Sequence, residues 1–567
     1  MANVRSRASG GSAKRQPARA PRTETRAPHR AGALERGLAR VRRHPRIVVA
    51  GLVALHLVLA ALAFMPAPQP GGDNAVYLSL AQSLLDGGYR DLFDPATPAH
   101  TQFPPGFPLI LAAALSLGLG PWVGFKLVIV AFSAAGVALT YRWIRRRRRP
   151  DLALGVALLV ALSPGVLALS HWELSDVPFW AMTTAALLAW ERLPRGRNGR
   201  TAAAAALTVC AYLTRSAGLP LLVAAAAWLI LRRRWTQLGI YAAIVLPPAI
   251  AWGVRTRAQG GYASFIRMAD VYAPDQGTVT ATGLVERLGE NAGLYGGRFL
   301  PTLLGGGASA ILGVLSVVVV ALAVYGWSRR VRRAGVAELW LPLYVGMLLV
   351  WNPEWAGDRL LLPLYPALLM YAGDALARLG RMRIVPGRAL VPAAGAALLA
   401  LAALPGVAEG SRMGTFCTAE YRRGDALPCL EPRWRDFFAL ADEAGRTLPA
   451  GSAVLSRKPA LFWAASGLPG RTYPLSREPD ALFRAAREAG ARYVLLDDLD
   501  QVATGYLTPI LIRRPGAFCI VRSLGADRAT LLGIRPGAER IADLRGDPGE
   551  AEAQVGFQPC GPEFLQR

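Results

Sequence analysis

Apolar stretches of roughly 15 to 23 residues recur along this 567-residue chain, each bounded by arginine clusters or by loops of Pro, Gly, Asp and Trp. Backbone polar groups have no water to bond inside a ~30 Å hydrocarbon layer, so a run of this length is satisfied there as a helix. Many such runs in one chain make it a polytopic α-helical membrane protein. The 53% hydrophobic content and mean hydropathy of +0.29 agree.

Net charge is +26 and the sequence pI about 10.8. In a soluble chain that excess would first suggest nucleic acid, but here the positives lie mainly between the apolar runs, and no nucleic-acid partner is expected. Lysine occurs only at positions 14, 126 and 458, so nearly all the positive charge is arginine. Short loops rich in Lys and Arg stay cytoplasmic. The clusters in the N-terminal region through Arg46, and at Arg145 to Arg149, Arg195 to Arg200, Arg232 to Arg234, Arg329 to Arg333 and Arg378 to Arg388, are therefore placed inside.

Residues 1–46 have few large apolar side chains and read as a disordered basic cytoplasmic tail. The first span, Ile47 to Met65, lacks a small-residue cleavage pattern and is expected to remain as an anchor. Residues 47–407 form the transmembrane region, with a first outer loop at 67–121 and a long outer loop at 256–306. Pro104-Pro105-Gly106-Phe107-Pro108 opens a short helix in the outer interface, since proline suits a helix start, and Trp122 to Trp143 is the second span. Further spans are expected near 152–170, 178–192, 201–214, 217–231, 237–254, 307–327, 338–351, 360–377 and 389–407, about eleven in all. That alternation keeps the arginine clusters inside and leaves the C-terminus outside. Within the long loop, Gly283 to Phe299 has the pattern of an amphipathic interfacial helix.

After Pro405 the long apolar runs stop. Short β-type segments at 453–455, 492–496 and 518–521 alternate with helix-like stretches such as Asp480 to Gly490, so residues 408–567 read as a soluble extracytoplasmic α/β domain. Cys417, Cys429, Cys519 and Cys560 fall in this tail, and an even number suits an oxidising compartment. The sequence leaves their pairing open; Cys417 with Cys429 and Cys519 with Cys560 is the pairing adopted here, against four free thiols.

This topology collects a few polar groups on the outer side. The first loop carries Asp73, Asn74, Tyr77 and His100; a hairpin carries His171-Trp172-Glu173-Leu174-Ser175-Asp176; Arg215 lies between two apolar runs; Glu354, Asp358 and Arg359 precede another run. Arginine there departs from the positive-inside bias, and charge near hydrocarbon is costly unless it pairs or performs a task. Arg215 and Arg359 accordingly read as phosphate binders, a guanidinium being a planar fork for phosphate oxygens. Interfacial salt bridges are the ordinary alternative, as helix capping is for Asp73 and Asp176.

The aspartate after the first span, followed by Tyr77, Ala81, Leu84, Gly87-Gly88-Tyr89 and Phe103-Pro104-Pro105-Gly106-Phe107-Pro108, resembles the opening of the GT-C superfamily, membrane glycosyltransferases that use polyprenyl-phosphate sugars and include protein O-mannosyltransferase-like and aminoarabinose-transferase-like enzymes. Glu173 to Pro178, Thr214-Arg215 to Gly218 and Arg359 to Pro366 match in order and placement, so the resemblance covers nearly the whole chain. It implies an inverting glycosyltransferase of the cytoplasmic membrane that moves a hexosyl or pentosyl group from a polyprenyl-phosphate donor to a hydroxyl of a glycan, lipid or protein acceptor. Asp73 would be the general base. Asn74, Tyr77, Glu173, Asp176, Arg215 and Arg359 would bind substrate. No cofactor is required; a divalent metal held by His171, Glu173 and Asp176 is the one candidate, with His100 a further ligand. A lipid or sugar transporter with an outer accessory domain is the rival, disfavoured because no internal repeat or midplane acid is evident.

Overall fold

The computed structural model describes residues 43–257, 261–380, 390–525, 528–543 and 557–565. The expected N-terminal tail lies outside the described residues up to position 42.

Five described helices are long and apolar enough to cross a membrane: Pro45–Leu62, Val123–Arg147, Trp235–Arg257, Ala310–Ser328 and the apolar part of Leu390–Arg422. Shorter apolar helices at Gly106–Ser116, Pro150–Leu162, Ser216–Leu231 and Val336–Val350 pack among them, as do Asp176–Trp190, Asn198–Thr214 and Tyr365–Leu379. The chain is a multi-pass membrane protein. Its core is continuous through the bundle, with Trp143, Trp180, Trp340, Tyr344 and Phe125 among its largest enclosed side chains.

Two expected spans are broken. The stretch 152–170 is the helix Pro150–Leu162 followed by Pro164–Leu169, because Pro164 has no N–H to continue the ladder and holds Ser163 extended; the Ser163 hydroxyl then caps Val166. The stretch 360–377 is likewise a short turn at Asp358–Leu361 and a helix at Tyr365–Leu379. Arg359, expected just before that span, therefore sits on a separate small element with its first residues. The boundary expected at 407/408 also moves: the 33-residue helix Leu390–Arg422 runs through it, about 50 Å at 1.5 Å per residue, longer than a ~30 Å apolar layer. The amphipathic segment of the long loop is the helix Ala281–Leu294, continuing through Tyr295–Phe299 into Leu300–Gly305. Its inward stripe is polar: Arg287 donates to the carbonyls of Ile266, Met268 and Ala269, and Asn291 to those of Leu349 and Trp351.

Arginine-rich loops meet at one end of the bundle. Arg147 pairs with Glu191 at 2.5 Å and with Glu338; Arg148 and Arg330 share Asp374; Arg195 reaches the carbonyl of Arg232, and Arg232 that of Ala334. Asp73, Asp176, Arg215 and Arg359 gather at the other end.

The C-terminal part holds a five-stranded sheet of order β2-β1-β3-β5-β4, with β1 Ala453–Leu455, β2 Gly470–Arg471, β3 Ala491–Asp497, β4 Phe518–Leu524 and β5 Ala529–Ile534. Strands β2, β1 and β3 are parallel, and β5 is antiparallel to β3 and β4. Helices Pro432–Thr447, Pro459–Ser466 and Pro479–Ala489 cover its faces. Cys417–Cys429 and Cys519–Cys560 are disulfides, spanning 12 and 41 positions.

Candidate active site

The site is built where helix ends meet. Gly72, at φ +108°, makes the turn that starts the helix Asp73–Leu85. An L side chain is strained at that angle, and glycine is not. Asp73 is the first helical residue and its side chain caps nothing; the capping alternative does not hold. Asp176 opens the helix Asp176–Trp190 in the same way, again without a side-chain cap. Both carboxylates lie in first turns, where the helix dipole favours negative charge. Arg215 is at the C-terminal end of Asn198–Thr214, where a cation is favoured. The Phe103–Pro108 segment seats directly on that end: a Cβ on Gly106 would lie 2.6 Å from the carbonyl oxygen of Leu213.

Two ion pairs form the open layer. Arg359 Nη1 donates to Asp73 Oδ2 at 3.2 Å, and Arg215 Nη1 lies 3.1 Å from Asp176 Oδ1. Arg359 is within electrostatic reach of Asp176 and Arg215 as well, so the four charges form one group. Ser175 ties them to the first loop: its hydroxyl accepts from Arg215 at 3.0 Å and meets the Tyr77 hydroxyl at 3.0 Å. Tyr77 is fixed between Phe103 and Phe107, each ring 4.7 Å away. The Asp73 side chain is 41% exposed and that of Asp176 only 3%. Asp73 is therefore the acid that an incoming molecule can touch.

Glu173 lies behind this layer, fully buried, with Lys126 Nζ at 2.9 Å and the Gln69 N–H at 3.2 Å. Lys126 also donates to the His171 carbonyl at 2.6 Å. His171 Nε2 meets the Ala60 carbonyl at 2.8 Å. In this arrangement a lysine faces Glu173 and an arginine faces Asp176. Among the described residues no group of three or more His, Cys, Asp or Glu is placed to hold a metal. His100 is engaged with Asp91 at 2.7 Å. Asn74 is fully buried, and among the described residues neither of its amide atoms has a hydrogen-bond partner.

Sequence reasoning missed Lys126 and Lys458. A lone charge inside an apolar run was the available signal for Lys126. Lys458 follows β1, and its Nζ donates to the carbonyl of Gly71 at 2.8 Å, beside the Asp73 turn. Burial, and then Arg457 next to it, hold its ammonium below the ordinary lysine range. The sheet grips the first loop elsewhere too: Arg471 makes a bidentate pair with Asp94 at 2.9 and 2.8 Å, and Gly470 N–H donates to Phe93. Tyr272 of the long loop links three parts, bonding Trp355 and Tyr506 and lying under Arg457. Chain paths leave β1 and β3 toward opposite flanks of the sheet, and the crevice outside the carboxyl ends of such strands is where open α/β sheets receive ligands. Here that edge faces Asp73.

Solved structures share this architecture. Archaeoglobus fulgidus oligosaccharyltransferase, crystallised with Zn and sulfate, aligns at a TM-score of 0.53 with 14% identity over 84% of this chain and 72% of its own. ArnT from Cupriavidus metallidurans in the apo state aligns at 0.51 with 14% identity, over 85% of this chain and 97% of that one. The chain has the GT-C fold. ArnT bound to undecaprenyl phosphate aligns at 0.50 with 15% identity, over 86% and 98%. No family sequence model and no curated protein sequence matches this chain, so the likeness is one of fold.

Proposed function

We propose that this protein is an inverting glycosyltransferase that moves a sugar from a polyprenyl phosphate to an acceptor hydroxyl at the outer face of the cytoplasmic membrane, with about eleven spans, the N-terminus inside and the C-terminal sheet outside. The observation that carries this reading is the exposed Asp73 carboxylate paired with Arg359 beside the Arg215–Asp176 pair. A base and two phosphate-binding forks then stand in one group.

In the resting site Arg359 neutralises Asp73. A polyprenyl-phosphate sugar brings a phosphodiester anion that attracts both guanidinia, and Arg359 turns from Asp73 to a phosphate oxygen. Asp73, so released, takes the proton of the acceptor hydroxyl as its oxygen attacks the anomeric carbon. The bond from that carbon to the phosphate oxygen breaks with its electron pair on the phosphate, whose charge Arg215 and Arg359 stabilise; no general acid is needed for so good a leaving group. One displacement inverts the anomeric centre. A positioned base of this kind contributes about 10²–10⁴-fold. Asp176 sets Arg215 directly and Tyr77 sets it through Ser175, and Glu173 with Lys126 fixes the hairpin beneath them. Lys458 adds a third cation to the donor side and holds the Gly71–Gly72 turn.

ArnT has been solved bound to undecaprenyl phosphate and the oligosaccharyltransferase tethered with an acceptor peptide, which supports a lipid-phosphate donor and a separate acceptor by fold analogy. The test uses the full chain in liposomes with a panel of labelled polyprenyl-phosphate sugars and glycan, lipid and peptide acceptors. Release of polyprenyl phosphate with transfer of label is the expected result. Movement of the labelled lipid across the bilayer with no donor consumed would replace this reading with a transporter.

A further inference from the structure

A cavity of about 580 Å³ opens at the arginine end of the bundle, between the starts of helices Pro45–Leu62 and Pro150–Leu162 and the ends of Val123–Arg147 and Asp176–Trp190. Five arginines line it: Arg46, Arg142, Arg145, Arg146 and Arg192. Among the described residues no carboxylate does. Of the acids of this end, Glu191 and Glu338 pair with Arg147, Asp374 with Arg148 and Arg330, and Asp151 with Arg149 at 2.7 Å. Guanidinia gathered around one concavity repel one another, and the repulsion is relieved by an anion.

Two further features point the same way. The helix start at Pro45 has neither a side-chain cap nor an acid in its first turn, so its first-turn N–H groups add positive potential. Arg192 is held at φ +55°, a left-handed conformation that costs a non-glycine residue about 1–2 kcal/mol. The rest of the wall is apolar: Val49 and Leu188 line the cavity, and Ile47 beside it is 69% exposed toward the surroundings of the bundle. A soluble anion would have no use for that wall. A glycerol and the root of an acyl chain would.

We propose that this cavity binds the phosphate headgroup of an anionic membrane lipid, with the arginines on the phosphate and Val49 and Leu188 against the glycerol. The Pro45–Leu62 helix, 18 residues or about 27 Å long, separates it from the loop that carries Asp73. It is thus distinct from the donor site and stands whether or not the chain transfers sugar. Basic pockets between transmembrane helices on the cytoplasmic side are suited to such headgroups.

The test reads lipid retention by native mass spectrometry after reconstitution of the full chain in phosphatidylcholine containing phosphatidylglycerol or cardiolipin. Wild type is expected to keep an anionic lipid through detergent exchange. R142Q/R192Q removes two exposed arginines that make no ion pair among the described residues, and should weaken retention about 30-fold at roughly tenfold or less per charge near the surface, while R142K/R192K restores it. Equal retention of phosphatidylcholine, or unchanged retention by R142Q/R192Q at unchanged thermal stability, would overturn the proposal. Displacement of the lipid by 1 mM inorganic pyrophosphate would assign the same arginines to a soluble phosphate and overturn the lipid assignment.

Discussion

Two acid–cation pairs stand one behind the other at the Asp73 end, and burial divides their work. Glu173 and Lys126 are 0% and 1% exposed; Asp73 and Arg359 are 41% and 27% exposed. The sealed pair has given up its hydration and cannot release either partner without leaving a bare charge inside the protein, so it acts as architecture. The open pair keeps solvent on both partners and gains little from its attraction, which in the proposed mechanism lets it exchange partners when a phosphate arrives. Similar charges at similar distances thus do opposite things.

The first way to break this contrast is to neutralise Asp73. Asp73→Asn should lower transfer about 10²–10⁴-fold with the melting temperature of the reconstituted chain unchanged. Glu173→Gln should do the reverse. It strands Lys126 in the interior at a cost of about 3–5 kcal/mol, read as lost expression and an earlier thermal transition, and Lys126→Met with Glu173→Met should recover much of that loss because an apolar pair fills the space. If Glu173→Gln folded normally and lost only turnover, the sealed pair would belong to the chemistry. Lys458→Met should raise KM for the donor about tenfold with little change in kcat, whereas Lys458→Arg should keep most of the affinity, since the donor's charge is met before the reaction and not during it.

The smallest expected effect lies in the sheet, at another enclosed acid. Burial pushes the Asp497 carboxyl up to about 7. Its folded pKa lies above the unfolded value near 4, so its neutral form favours the folded state at low pH, and stability is lost as pH rises from about 4 through 7. The thermal transition of the C-terminal region should therefore be higher at pH 5 than at pH 8, and Asp497→Asn should flatten that slope by a few degrees, at about 2–4 °C per kcal/mol.

Much of this arrangement is readable from sequence because a bilayer imposes it. Apolar length marked the helices, and arginine placement sorted loops to two ends, which is why Asp73, Asp176, Arg215 and Arg359 could be grouped before any distance was known. Other parts were hidden for physical reasons. Hydropathy averages over a window, so Lys126 vanished within its apolar run although it decides what Glu173 does. The Lys458 to Gly71 bond joins positions 387 apart, which no local pattern reports. Pro164 carried the signal that splits the 150–169 stretch, but a proline is tolerated in membrane helices and so does not by itself announce a break. The end of the last apolar helix was misplaced because composition changes at Pro405 while the backbone continues helical to Arg422.

The most direct test compares wild type with Asp73→Asn in one lipid preparation, measuring binding of a labelled polyprenyl-phosphate sugar and its transfer to an acceptor hydroxyl in parallel. The expected result is donor binding retained, or tightened as Arg359 is freed, with transfer reduced at least 100-fold. Equal transfer by the two proteins would contradict the assignment of Asp73 as the base, and with it the separation of an open reactive pair from a sealed structural one.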